Sequence, residues 1–192
     1  QAGDMYYVST SGSNSNNGTA ENAAFESIEY ALSKVCGQDT IILLDGTYFE
    51  DSLDIELDVI IASKFFLDAD TSHIAATVID GSSAAYIMNW NAGSNNWTDT
   101  TNNQIIGLTF SNGSAPTSRG GALTVEQSKV LKVSNVRFVN NTASQYGGGL
   151  FATWNSKLTI SNTLFKGNSS GSEGGGLFIR SSSELVLSLI HI

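Results

Sequence analysis

The chain has only one cysteine, Cys36, among its 192 residues. A disulfide within the chain and a zinc site built from cysteines are therefore both excluded. Because Cys36 follows the one stretch that reads as a helix, we expect its side chain to be buried. The sequence also lacks any apolar run long enough for a membrane-spanning helix, and it lacks the pattern of a signal peptide. Since the chain begins at Gln1, we expect that a leader has been removed.

Charged residues are scarce, and basic residues are the scarcest. Charged residues make up 14% of the chain, and 9 Lys and Arg against 18 Asp and Glu give a formal net charge of −9. A nucleic-acid partner is excluded, because binding phosphates requires clustered Lys and Arg. Helical proteins cover their exposed faces with Glu, Lys and Arg, whereas this chain is rich in Ser, Thr and Asn. The composition therefore predicts β-structure with polar turns.

A repeat of 27 residues is the main signal in the second half of the chain. Leucines recur at this spacing in two columns, Leu123, Leu150 and Leu177, and Leu131, Leu158 and Leu185. Phe110 precedes Phe138 by one residue more, which predicts an insertion in a turn. Each unit contains short alternating strands between polar turns, and such strands bury their apolar faces only when successive units stack. The sequence therefore predicts an all-β fold, a right-handed parallel β-helix or solenoid.

The repeat units resemble those of the polymorphic outer membrane proteins, or Pmp-type repeats, which carry a GGA-[ILV] motif and an FxxN motif. The first motif matches at Gly120 to Leu123, and recurs with Gly in place of Ala at 147–150 and 174–177. The second matches at Phe138 to Asn141 and at 165–168, whereas the unit at Phe110 has its Asn one position early. This resemblance implies a β-helix with an adhesive role on the outer membrane surface of a bacterium.

The N-terminal segment resembles the opening of pectate-lyase-like β-helix proteins, from Tyr6-Tyr7-Val8-Ser9 through a polar loop to Gly46-Thr47-Tyr48. A helix from Phe25 to Val35 is predicted to cap the open end of the core. We expect one domain over 1–192. Its parts are a cap and first coil at 1–50, irregular acidic coils and a loop at 51–104, and about three glycine-rich coils at 105–188. Residues 189–192 leave the repeat, which predicts a truncation or a non-native tail.

The pectate-lyase-like resemblance implies a second activity, calcium-dependent cleavage of acidic polysaccharides at clustered carboxylates. In the repeat half, however, acids align with other residue types: Glu126 with Thr153 and Arg180, Glu173 with Tyr146 and Arg119, and Glu184 with Lys157. The acids from Asp45 to Asp58 crowd a short span, and we interpret them as a solvent-exposed face. Calcium binding by these acids stays an open alternative. His73 is isolated in the sequence. We therefore predict no catalytic residue, no metal ligand and no cofactor.

Tryptophans supply the candidate binding residues. Trp97 lies in a polar stretch and Trp154 in a polar turn, where an exposed indole can stack on a sugar ring. The leading hypothesis is a non-catalytic, adhesin-like module, secreted or on the cell surface, whose loops contact carbohydrate or a cell-surface glycan. The alternatives are a calcium-dependent polysaccharide lyase and a structural spacer of a surface protein. We expect a monomer with no membrane span.

Overall fold

The computed structural model describes residues 3–91, 103–117, 119–126 and 130–191. Parallel strands form three long ladders, one on each side of a coil. The first ladder contains β1 (Met5–Val8), β2 (Thr40–Leu43), β5 (Ile60–Ser63), β8 (Gln104–Ile106), β12 (Val130–Ser134), β16 (Lys157–Lys166) and β19 (Glu184–His191). The second contains β3 (Gly46–Tyr48), β6 (Thr77–Asp80), β9 (Thr109–Ser111), β13 (Arg137–Val139) and the end of β16.

The third ladder contains β4 (Leu53–Ile55), β7 (Met88–Trp90), β11 (Leu123–Val125), β15 (Leu150–Ala152) and β18 (Leu177–Ile179). A small extra ladder contains β10 (Ser114–Ala115), β14 (Thr142–Ala143) and β17 (Ser169–Ser170). The helices are short: α1 (Ile28–Leu32), α2 (Phe65–Asp68), α3 (Ser72–Ala76) and a 3-10 turn at Glu21–Ala23. This arrangement confirms the predicted right-handed parallel β-helix with a short N-terminal capping helix.

The leucine columns lie directly over each other, as the 27-residue period predicts. Leu123 pairs with Leu150, and Leu150 with Leu177, in parallel register. The first two side chains are fully buried, and Leu177 packs against the same core cluster. Leu131 pairs with Leu158 in the first ladder in the same way. Stacking therefore turns several half-apolar strands into one continuous core.

A phenylalanine column runs through the second ladder. Phe110, Phe138 and Phe165 pair in register, and their rings stack with centroid distances of 5.3 and 4.9 Å. The extra residue before Phe138 lies in a turn, as predicted, because the pairing offset falls from 28 residues at Ala115 to 27 at Leu123. The fold therefore absorbs the irregular spacing outside its strands.

The N-terminal helix closes one end of this core. Ile28 and Ala31 of α1 are fully buried in the main apolar cluster. The helix is shorter than its apolar stripe because Phe25 forms an extended bridge with Val8, and Ser27 then caps the helix by accepting the Tyr30 N–H at 3.2 Å. The cap therefore begins three residues later than the periodicity indicates.

The expected burial of Cys36 differs from the structure. Cys36 is exposed, and the prediction of its burial is wrong, because α1 ends before it and its N–H instead donates to the Asp39 carboxylate at 2.7 Å.

At the other end of the chain, strand pairing in the first ladder continues through Ile190 and His191. Leu189 adopts a left-handed φ of 53°, like Asn162 one coil earlier at 47°. In the described part of the chain, no helix has the length and apolar character needed to cross a membrane.

Candidate functional site

The outer face of the third ladder carries an open cleft of about 370 Å³. A volume of this order falls in the range of about 300–1,000 Å³ that is usual for small-ligand sites. Its lining comes from several coils and consists of Tyr86, Asn89, Thr117, Arg119, Thr124, Glu126 and Gln145. Every one of these side chains has a polar group. The cleft therefore offers hydrogen-bond donors, acceptors and charge rather than an apolar pocket.

Strand alternation places the floor of the cleft. Asn89 lies between Met88 and Trp90, and both neighbours point into the core and are fully buried. Thr124 holds the equivalent position in β11, where it pairs with Asn89. Because successive side chains of a strand point to opposite faces, these two polar side chains must lie side by side on the outside.

Two arginines lie over aromatic rings at this face. The guanidinium carbons of Arg119 and Arg180 are 5.7 and 5.3 Å from the ring centre of Tyr146, and 5.4 and 5.6 Å from that of Phe151. Phe178 stacks on Tyr146 with a centroid distance of 4.7 Å. Cation–π contacts are worth about 0.5–1 kcal/mol at exposed sites. The stacking therefore holds both positive charges in defined places on this face, and of the two arginines Arg119 lines the cleft.

The electrostatics of the cleft join these arginines to an acid. Burial raises the pKa of the Glu126 carboxyl, and the nearby charges of Arg119 and Arg180 lower it in part, with a raised pKa as the result. Arg119 Nε donates to Gln145 Oε1 at 3.3 Å, whereas the buried Nε of Arg180 has no hydrogen-bond partner. Burial and the Asp54 carboxylate raise the pKa of the Tyr86 phenol. The cleft is therefore equipped to exchange hydrogen bonds with a polar, hydroxylated ligand.

Of the two candidate binding tryptophans, Trp154 lies among the described residues and stands apart from this cleft. Trp154 lies in the turn between β15 and β16 with a left-handed φ of 55°, and it is 48% exposed. It does not line the cleft. Trp97 lies outside the described residues. A role for either side chain in carbohydrate binding stays a prediction.

Two acids of the first coils, Asp54 and Asp58, are matched with neutral donors. Asp54 accepts from Asn89 Nδ2 at 3.1 Å and from the Tyr86 hydroxyl at 3.4 Å. Asp58 accepts from Asn103 at 2.9 Å. Among the described residues, no group of three or more His, Cys, Asp or Glu is arranged to hold a metal ion.

His73 is not isolated in the folded chain. Its Nδ1 lies 2.6 Å from Asp45 Oδ1 and its Nε2 lies 3.1 Å from Asp68 Oδ2. Both carboxylates raise the pKa of His73, and the hydrogen bond to Asp45 contributes most. The helices α2 and α3 lie between β5 and β6, and we call this segment the α2–α3 insertion. The contact connects it to the turn after β2. Sequence reading missed it because 28 residues separate His73 from Asp45.

The cleft itself was also missed by sequence reading, although a signal for it was present. Arg119 aligns with Tyr146, and Glu126 with Arg180, in the 27-residue columns. These alignments stack no acid on an acid. The same columns place two cations, an aromatic ring and a half-buried acid on one outer face. Tyr86 and Asn89 come from the irregular coils, where no period locates them.

The stacked parallel ladders define the class: the chain is a parallel β-helix of the pectate-lyase-like fold. Among solved structures it is similar to the crystal structure of pectate lyase Pel9A, with a TM-score of 0.52 and 17% sequence identity. The similarity covers 98% of this chain and 54% of that chain, so the chain spans about half the length of that structure. At this identity the similarity shows the fold alone. No protein-family model matches the chain, and no curated protein matches it.

Proposed function

We propose that the protein is a non-catalytic, adhesin-like β-helix module that acts outside the cell and binds a saccharide chain in the outer-face cleft. The observation that carries this proposal is the composition of the cleft: amide, hydroxyl, guanidinium and carboxyl groups beside the Tyr86 ring. Saccharides present many hydroxyls and apolar ring faces, and they are bound by such groups. The resemblance to Pmp-type repeats supports a position on a cell surface.

Binding to a glycan array, followed by calorimetry with the best glycan, tests the proposal. Glu126→Gln keeps the shape of the side chain but removes its charge, and we expect affinity to fall about tenfold or more, as for the loss of a hydrogen bond to a charged group. Glu184→Gln is the matched control, because Glu184 lies in the first ladder and its carboxylate pairs with Lys157 at 3.8 Å. It should bind like the unaltered chain.

The lyase alternative is favoured by one observation, the similarity of the fold to pectate lyase Pel9A. The two functions separate in one assay, in which the purified chain and calcium are incubated with a panel of uronic-acid polymers. Unsaturated product that absorbs in the ultraviolet would replace the binding proposal with a lyase. A chain that neither cleaves these polymers nor binds any glycan would instead be a structural spacer.

A further inference from the structure

Among the residues that the structure describes, the third ladder ends at β4, and one edge of this strand is open. The Leu53 N–H donates to the Ile87 carbonyl at 2.9 Å, and the Ile55 carbonyl accepts the Asn91 N–H at 2.8 Å, both on the β7 side. Backbone groups of successive residues in a strand point to opposite sides. The N–H and C=O of Asp54 therefore point away from β7, toward the side where the ladder has no further strand.

The first ladder shows how this fold covers such an edge. There, β1 pairs with β2 over four residues, from Met5 with Thr40 to Val8 with Leu43, and so supplies a terminal strand. The third ladder has no counterpart of β1 in the described part of the chain. The helix α1 closes the core, but it does not pair with β4. An unpaired strand edge is a template for a strand from another chain.

A groove of about 470 Å³ lies between α1 and this edge. It is lined by Glu29, Leu32 and Ser33 on the helix side and by 51–54, Glu56 and Leu57 on the strand side. Three residues of strand span about 10 Å, so the groove runs beside a template for about three residues of extended chain. Leu57 is 41% exposed and gives this groove an apolar contact.

The groove is lined by acidic residues, and their negative charge favours a basic ligand. Glu29, Asp51, Asp54 and Glu56 line it, and none of its described lining residues is Lys or Arg. The nearby Lys34 instead lies over the Tyr30 ring at 4.6 Å. Four carboxylates around an open strand edge attract lysine or arginine side chains and repel acidic ones.

We propose that this edge groove binds an extended segment of another polypeptide, which carries lysine or arginine and adds to β4 as a further parallel or antiparallel strand. The backbone of the segment hydrogen-bonds to Asp54. Its alternate basic side chains face Glu56 and its neighbours, and its apolar side chains contact Leu57. Such strand addition gains affinity from main-chain hydrogen bonds and specificity from the side chains.

A blocked six-residue peptide that alternates lysine and valine is a suitable probe, measured by calorimetry against the full chain at about 0.15 M ionic strength, where distant charges are screened. We expect binding, with at least tenfold weaker affinity for the same peptide methylated on its backbone nitrogens and for a glutamate–valine peptide. The Asp54 amide should also become protected from hydrogen exchange when the lysine–valine peptide is bound.

Charge reversal at the groove gives the matched test. Glu56→Lys should weaken binding of the lysine–valine peptide at least tenfold, whereas Glu26→Lys, an exposed acid outside the groove, should change it less than twofold. Equal binding of the methylated peptide, equal effects of the two reversals or no binding at all would each overturn the proposal. Glycan binding by Glu56→Lys should be unchanged, so failure here is separate from failure of the saccharide proposal.

Discussion

The two halves of the β-helix build the same ladders from different side-chain chemistry. In the coils after residue 103, the buried columns place like on like, as in the stacked rings of Phe138 and Phe165. On the outer surface of the earlier coils, several acids instead accept from a neutral amide of the next coil. The pairs are Asp54 with Asn89, Asp58 with Asn103 and Asp80 with Asn112, at 3.1, 2.9 and 2.8 Å.

The acidic half is not a visible repeat because its coils differ in length: paired residues are 20 apart between β2 and β5, from Thr40 to Ile60, and 44 apart between β5 and β8, from Ile60 to Gln104. Electrostatics places a second constraint on the acids of these coils. Strands in neighbouring coils lie about 4.8 Å apart, so a strictly repeated acid would stack carboxylate on carboxylate. A phenyl ring or an amide is stabilised by an identical side chain in the next coil, whereas a carboxylate is repelled by another carboxylate. Acidic coils must therefore alternate acids with donors from coil to coil. Their ladders stay regular while their sequence does not repeat.

The largest expected effect comes from breaking the like-on-like half at Phe138. Phe138→Ala removes a fully buried ring stacked between Phe110 and Phe165, and we expect the free energy of unfolding to fall by about 3–5 kcal/mol, as for other buried phenylalanines. Denaturant unfolding measures this change. Phe49→Ala is the control, since Phe49 is 74% exposed, and a similar loss for both variants would contradict the role of stacking.

The next largest effect is expected at Asn141, which is fully buried. Its Oδ1 accepts the Gly113 N–H at 2.8 Å, and its Nδ2 donates to the Phe110 carbonyl at 3.2 Å and to Asn168 Oδ1 at 2.9 Å. Asn141→Ala removes these side-chain bonds and leaves the buried Gly113 N–H without its acceptor, and we expect stability to fall by about 2–3 kcal/mol.

Asn22 provides the control for this amide. It is exposed, and Asn22→Ala should change the free energy of unfolding by no more than about 0.5 kcal/mol. If Asn141→Ala were equally neutral, the side-chain bonds that Asn141 makes to neighbouring coils, including the one to Asn168, would carry no stability.

The coils after residue 103 were predictable in detail because the same residue types recur in each coil. The period placed Leu123 over Leu150 and located the turn insertion before Phe138. The strands of the acidic coils were only partly predictable, because nothing at 27 residues repeats there. The α2–α3 insertion had no signal, since helices of four and five residues are too short to show an apolar stripe.

The candidate site was less predictable than the fold for a physical reason. Its lining comes from turns and strand faces in three coils, from Tyr86 to Gln145, and sequence spacing fixes contacts only between coils of equal length. Aromatic residues attracted attention because an exposed ring is easy to recognise in a sequence. Arg119 and Glu126 did not, because their environment depends on burial and on the rings packed beside them.

The smallest expected effect concerns the unlike pairs and depends on pH. The imidazole of His73 can donate to both Asp45 and Asp68 only when both of its nitrogens are protonated. These carboxylates raise the pKa of His73 above its usual value of 6.5. A raised folded-state pKa means that this stabilisation is complete below pH 6.5 and is lost as the pH rises through the folded pKa.

We therefore expect the thermal unfolding midpoint to fall as the pH is raised from 6.5 upward, and to fall less in His73→Gln, which cannot take up the proton. Asp45→Asn should lower the NMR-measured pKa of His73 more than Asp68→Asn does, because the hydrogen bond to Asp45 is the larger cause of the shift. His191→Gln alters the other histidine of the chain and should keep the full pH dependence. A His73 pKa at or below 6.5 would mean that the contacts of His73 with Asp45 and Asp68 do not hold the α2–α3 insertion in place.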